Sequence, residues 1–124
     1  MAASRAVVFA LISCSAIADQ QECDPMRVSQ GWNQCAVCHS VMEGDNSAFG
    51  PNLHGVLGRI SGSLAGYAFS EAMVKSRLTW TQSAMDVFLS APQSLVPGNA
   101  MPYGAVSDPA ERAAIICKLA NSNN

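Results

Sequence analysis

Aromatic residues make up 6% of this 124-residue chain and charged residues 13%. A chain of this length can bury only a modest core, and so few rings suit a small fold whose core is completed by a large apolar cofactor. Lysine is scarcer still, at Lys75 and Lys118 alone, and 7 basic groups stand against 9 acidic ones. Nothing in that balance suggests nucleic acid, which demands a basic face. The histidines are His39 and His54, and no second histidine follows His54 by three to five residues, so a four-ligand structural zinc site has no support. Few stretches alternate apolar and polar residues as strands do, which also disfavours a thioredoxin-like dithiol, whose motif sits among strands. No internal repeat or long linker divides the chain, so one domain is expected. The apolar run from Ala6 to Ile12 falls short of the ~20 residues a membrane-spanning helix needs.

Against these absences stands Cys35-Ala36-Val37-Cys38-His39. Cys-x-x-Cys-His is the attachment signature of a c-type haem. Two thiols three positions apart lie about one helical turn from each other, so both can form thioethers to one haem edge, and His39 can offer a nitrogen to the iron.

The first residues read as an export signal, residues 1–18. Arg5 precedes the apolar run, and Ala16-Ile17-Ala18 forms a small-residue cleavage site that leaves Asp19 as the new N-terminus. A competing reading is a lipoprotein site, because Leu11-Ile12-Ser13 precedes Cys14. Either places residues 19–124 outside the cytoplasm, in the periplasm, with no transmembrane span. Cleavage removes Arg5 and no acid, so six basic groups remain against nine acidic ones.

Local signals then place the helices. Asp24-Pro25 offers a carboxylate cap and a first-turn proline, predicting a short helix that runs into the CAVCH segment, with Trp32 as a packing aromatic. Val41 to Ala48 is a polar loop by composition. Gly50-Pro51-Asn52-Leu53-His54-Gly55-Val56-Leu57-Gly58-Arg59 has too many glycines for a regular element, and lets backbone turn tightly and approach something flat and large. A turn at Gly66 to Ser70 leads to a helix over about 70–77. Thr81 can cap a helix whose apolar residues Met85, Phe88 and Leu89 fall three and four apart, with Pro92 as its end. Asp108-Pro109-Ala110-Glu111 opens the last helix, with Ile115, Ile116 and Leu119 as its apolar face.

CAVCH followed by GPNLHGVLGR resembles the class I c-type cytochromes, specifically bacterial relatives of mitochondrial cytochrome c, and the resemblance runs from about Asp24 to Ala120. It implies an all-α, small single-domain cytochrome c fold, with short helices and loops wrapped around one covalent haem c. By the same resemblance the Pro51 carbonyl accepts from His39 as the haem-ligating histidine, which fixes the ring. Arg59 neutralises a haem propionate, and Trp80 donates its indole N–H to the inner one. His54 is a turn residue rather than a ligand. Leu95-Val96-Pro97-Gly98-Asn99-Ala100-Met101-Pro102 carries the distal iron ligand, Met101, while Met26, Met42, Met73 and Met85 lack that loop and read as packing. Phe69 and Phe88 stand where relatives often carry tyrosine. The first and last helices cross in the family, and two departures fall there: Val28 where relatives tend to have glycine, and Lys118 where they have an aromatic. The crossing is expected to be looser or spaced differently.

The implied function is that of a monomeric one-electron carrier between larger redox proteins. It is a carrier rather than an enzyme, since two axial ligands, His39 and Met101, leave the iron no open position. A haem c subunit held in a periplasmic dehydrogenase or reductase complex is the alternative, and a gas-binding haem protein follows only if Met101 does not ligate. Signal removal and haem attachment leave Cys23 and Cys117. An even remainder in an oxidising compartment favours a disulfide, with a small buried Cys117 and a terminal thiol at Cys23 as the alternative.

Overall fold

In the computed structural model, which describes residues 23–46 and 48–123, four of the five helices begin where a short polar side chain caps them. The leader, its cleavage site and Cys14 lie outside the described residues. Helix α1 (Pro25–Ala36) starts at Asp24, whose carboxylate accepts from the backbone N–H groups of Met26 and Arg27. Ser70 caps α2 (Glu71–Ser76), and Arg77 ends it in the left-handed region at φ 47°. Thr81 caps α3 (Gln82–Ser90) through Ala84 N. Each such cap satisfies a helix-end donor that would otherwise lack a partner. The expected stop at Pro92 is only half of what happens: α3 ends at Ser90, and Pro92 itself opens a further single turn, α4 (Pro92–Leu95). Proline lacks a donor, which costs nothing in a first turn. Asp108 caps α5 (Pro109–Asn121).

The helices α1 and α5 cross and pack, and α5 also packs against α3. Ile115 and Leu119 of α5 are each 1% exposed and join Val56, Trp80, Met85, Phe88, Val96 and Ile116 in one apolar cluster. Truncating one such side chain to alanine costs about 2–5 kcal/mol, so this face of α5 anchors the fold.

The crossing is close. The close approach is made by Gly31, the buried residue of α1, where a Cβ would lie 3.0 Å from both Glu111 Cγ and Ile115 Cγ1. Val28 is partly buried, and the small residue that permits the contact is Gly31, three positions further along α1. Lys118 is also accommodated, its ammonium 5.3 Å from the centroid of the Trp32 ring, within the range of a cation–π contact. Gln34 Nε2 donates to Glu111 Oε1 at 2.7 Å across the same interface.

A disulfide staples this crossing. Cys23, immediately before α1, is bonded to the buried Cys117 of α5, with 5.8 Å between Cα atoms. The bridge spans a sequence separation of 94, so it removes much of the unfolded chain's freedom. Replacing both residues by serine is expected to lower unfolding free energy by about 2–4 kcal/mol, measured by denaturant titration. Denatured, unreduced haem-loaded protein is expected to show no free thiol, and two free thiols together with unaltered stability in the double variant would count against the bridge.

Candidate haem-binding site

Helix α1 ends within the motif that the sequence singled out. Cys35 occupies its last turn, and the N–H groups of Cys38 and His39 both donate to the Cys35 carbonyl, at 3.0 and 2.9 Å. This tight turn sets Cys35, Cys38 and His39 along one wall of a single cavity, and both thiols are unbridged. Burial pushes the Cys35 thiol up to about 11, reinforced by the charge of Glu111, so it is an uncharged thiol at neutral pH.

The 50–59 segment closes on that turn. Gly50 N donates to the Cys38 carbonyl at 2.6 Å. A Cβ on Gly50 would lie 2.7 Å from both the Cys38 carbonyl oxygen and His39 Cε1, so no side chain fits there. The next residue, Pro51, places its carbonyl 2.8 Å from His39 Nδ1. A carbonyl only accepts, so Nδ1 carries the proton and donates, which leaves Nε2 with its lone pair. Burial lowers the His39 pKa, opposed by the bond to Pro51, and the ring is therefore neutral at pH 7, the form that binds a metal.

Asn52 organises the polar loop behind this contact. Its side chain is buried, donates to the Met42 and Asp45 carbonyls at 2.7 Å each, and accepts from His54 N. Arg59 closes the turn from the other side, its guanidinium donating to the Asn52 and His54 carbonyls. Burial lowers its pKa from the ordinary arginine value. His54 faces away from the cavity wall and meets the Val41 carbonyl at 3.2 Å, as a turn residue.

Three backbone hydrogen bonds bring a distant stretch alongside: Gly58 N to Trp80 O, Trp80 N to Arg59 O, and Ser61 N to Leu78 O. Trp80 is buried and packs edge-on against Phe88 with ring centroids 5.1 Å apart. The remaining wall comes from the loop after α4, where Met101 is partly buried and its N–H donates to Asn99 Oδ1.

Cys35, Cys38, His39, Pro51, Arg59, Trp80 and Met101 therefore line one cavity of about 300 Å³, together with Phe88 and other apolar side chains. Its size and apolar walls suit an organic cofactor. Two adjacent thiols, a neutral imidazole with a free nitrogen and a thioether make a donor set that fits haem c. Sequence reading missed the specific need for Gly50, and the parts played by Asn52 and Asn99. Both asparagines accept from the N–H two residues on, a habit of Asn in turns that was open to reading.

Helices and glycine-rich loops closed around this set of thiol, imidazole and thioether groups define a small helical protein with a covalently attached haem. The comparisons agree. Cytochrome c2 iso-2 of Magnetospirillum fulvum is 42% identical over 88 residues, covering 71% of this chain and 91% of that protein. Cytochrome c2 of Blastochloris viridis is 32% identical over 120 residues, covering 96% and 94%. Among solved structures, cytochrome cH from Methylobacterium extorquens superposes with a TM-score of 0.71 at 36% identity, over 79% of this chain and 98% of that one. No family model matches. The chain belongs to the class I c-type cytochromes, electron carriers with one covalently attached haem c.

Gly50→Ala is expected to displace the His39 ring, because the atoms a methyl would meet are backbone and the ring itself. The variant should incorporate haem several-fold less efficiently than wild type, read by haem content per polypeptide on export. Equal haem content would show that this contact can relax.

Proposed function

We propose that the chain carries one electron at a time between larger redox proteins, as a monomer on the exported side of the membrane after loss of residues 1–18. Cys35 and Cys38 hold the haem by thioethers, and His39 and Met101 ligate its iron. The observation that carries this reading is the convergence of all seven predicted residues on one cavity. The haem supplies a one-electron ferric–ferrous couple. His39 is a neutral donor whose ring plane is set by Pro51, and a fixed donor gains strength from such a partner. Met101 would bring a soft sulfur to the same iron, which favours the reduced metal and raises the potential. Arg59 and Trp80, brought side by side by backbone pairing, suit the two propionates, which would be costly to bury without partners. With His39 and Met101 both held to the iron, no place would be left there for a substrate. Carrier rather than enzyme is the reading that follows. Among the described residues no helix is long and apolar enough to cross a membrane.

The surface bears on the partners. Lys75 pairs with Glu71 on α2, and Lys118 lies over Trp32, so neither lysine belongs to a ring of charge at the cavity mouth. Apolar side chains stand near the cavity instead: Phe49, 90% exposed, and Tyr103, 58% exposed, line it, and exposed Val37 lies within the attachment motif. Partner contact at this face is apolar more than electrostatic.

Two measurements test the proposal. Oxidised protein should show the weak red-edge absorbance of sulfur-ligated ferric haem, and Met101→Ala should abolish it; an unchanged band sinks the assignment. Electron-transfer rates with a physiological partner should fall only about two- to threefold between low and physiological salt, where the screening length shortens to about 8 Å. A steep loss would point to a charged docking face.

A further inference from the structure

The segment from Asn99 to Ser107 has no regular structure; Met101 and Val106 pack against the apolar core, and polar anchors hold the span at its two ends. At the far end Val106 N donates to the Leu89 carbonyl, and Arg112 Nη1 donates to the Val106 and Ser107 carbonyls while its Nε pairs with Asp86 at 2.8 Å. That anchor lies five residues beyond Met101. The near anchor is Asn99, two residues before it and only 6% exposed.

The Asn99 amide uses every kind of group it has. Nδ2 donates to the Pro92 carbonyl at 3.1 Å and the Val96 carbonyl at 2.9 Å, both in or beside α4. Oδ1 accepts from Met101 N at 3.0 Å. The Asn99 carbonyl meanwhile accepts from Gln93 Nε2 at 3.0 Å, which holds the same residue to α4 a second time. One side chain thus ties the backbone of Met101 to a buried helical turn. Two donors and one acceptor are required together, and a primary amide is the side chain of this size that supplies them.

We propose that Asn99 is a positioning residue for the distal iron ligand: its buried amide sets where the Met101 thioether stands, and so how firmly it competes for the iron. The inference rests on Met101 being that ligand. An isosteric acid tests it most sharply, because Asn99→Asp replaces the donor by an oxygen facing two carbonyls that can only accept. Asn99→Thr keeps one donor and one acceptor and should be milder.

The readouts are the weak red-edge band of the ferric protein and its affinity for added imidazole, which must displace the methionine sulfur. Losing buried hydrogen bonds of this kind should raise imidazole affinity about 10- to 100-fold in Asn99→Asp, with Asn99→Thr in between and the band weakened in the same order. If the acid variant does not fold or load haem, Asn99→Thr and Asn99→Ser carry the comparison. Variants that melt at lower temperature but keep the wild-type band and imidazole affinity would overturn the positioning role. Failure of the underlying reading looks different: wild-type protein would then lack the band and bind imidazole as Met101→Ala does.

Discussion

The His39 ring is held between two backbone stretches that touch, and most of the molecule is arranged so that they can. Gly50 N donates to the Cys38 carbonyl at 2.6 Å, and the Pro51 carbonyl accepts from His39 Nδ1 at 2.8 Å. The contact works only without a side chain at position 50. Once it is made, ring tautomer and ring plane follow from the chemistry of a carbonyl acceptor. The buried Asn52, bonded to the Met42 and Asp45 carbonyls, then holds the intervening loop, and Arg59 pins the Asn52 and His54 carbonyls from behind. The cost of immobilising so many loop residues, of order 1–2 kcal/mol each for backbone alone, is offset by making nearly every bond to a backbone group that would otherwise be buried without a partner.

One side of that contact rides on α1, so the orientation of α1 must itself be secured. Three unlike interactions do this at one crossing: the absence of a side chain at Gly31, the apolar face of Ile115 and Leu119, and the covalent bond from Cys23 to Cys117. Each covers a weakness of the others. Close packing is sensitive to small shifts, burial is not directional, and a disulfide constrains distance but not rotation. Together they fix both the separation and the phase of α1, and with it the direction in which Cys35 and the turn after it face.

Legibility from sequence followed the range over which each interaction acts. The caps at Asp24, Thr81 and Asp108 involve neighbours two or three residues away, and they were readable from residue type alone. The attachment motif was equally local. Which residue of a helix meets its partner depends on rotation about the helix axis, so the close approach at Gly31 was not legible in the local pattern. The pairing of Gly58 to Ser61 with Leu78 to Trp80, and the ion pair between Asp86 and Arg112, leave no local pattern at all. The cysteine arithmetic left a bridge open, and only a Cα separation of 5.8 Å closes that choice. Pro92 was read as a stop because proline ends helices; the same lack of a donor lets it begin one.

The two sides of the site are built on different physical terms. On the His39 side, the groups that hold the ring belong to a helix end and a loop pressed against it, within a few residues of the two cavity thiols. On the Met101 side, an irregular span runs between two polar anchors, Asn99 bonded to the α4 turn and Arg112 on α5, with Pro102 to Ala105 exposed between them. Local stability is lowest where apolar contacts are few and backbone is exposed. The methionine side is therefore the wall expected to loosen first, held as it is by the hydrogen bonds at the two ends of the span and by the packing of Met101 and Val106 on the apolar core.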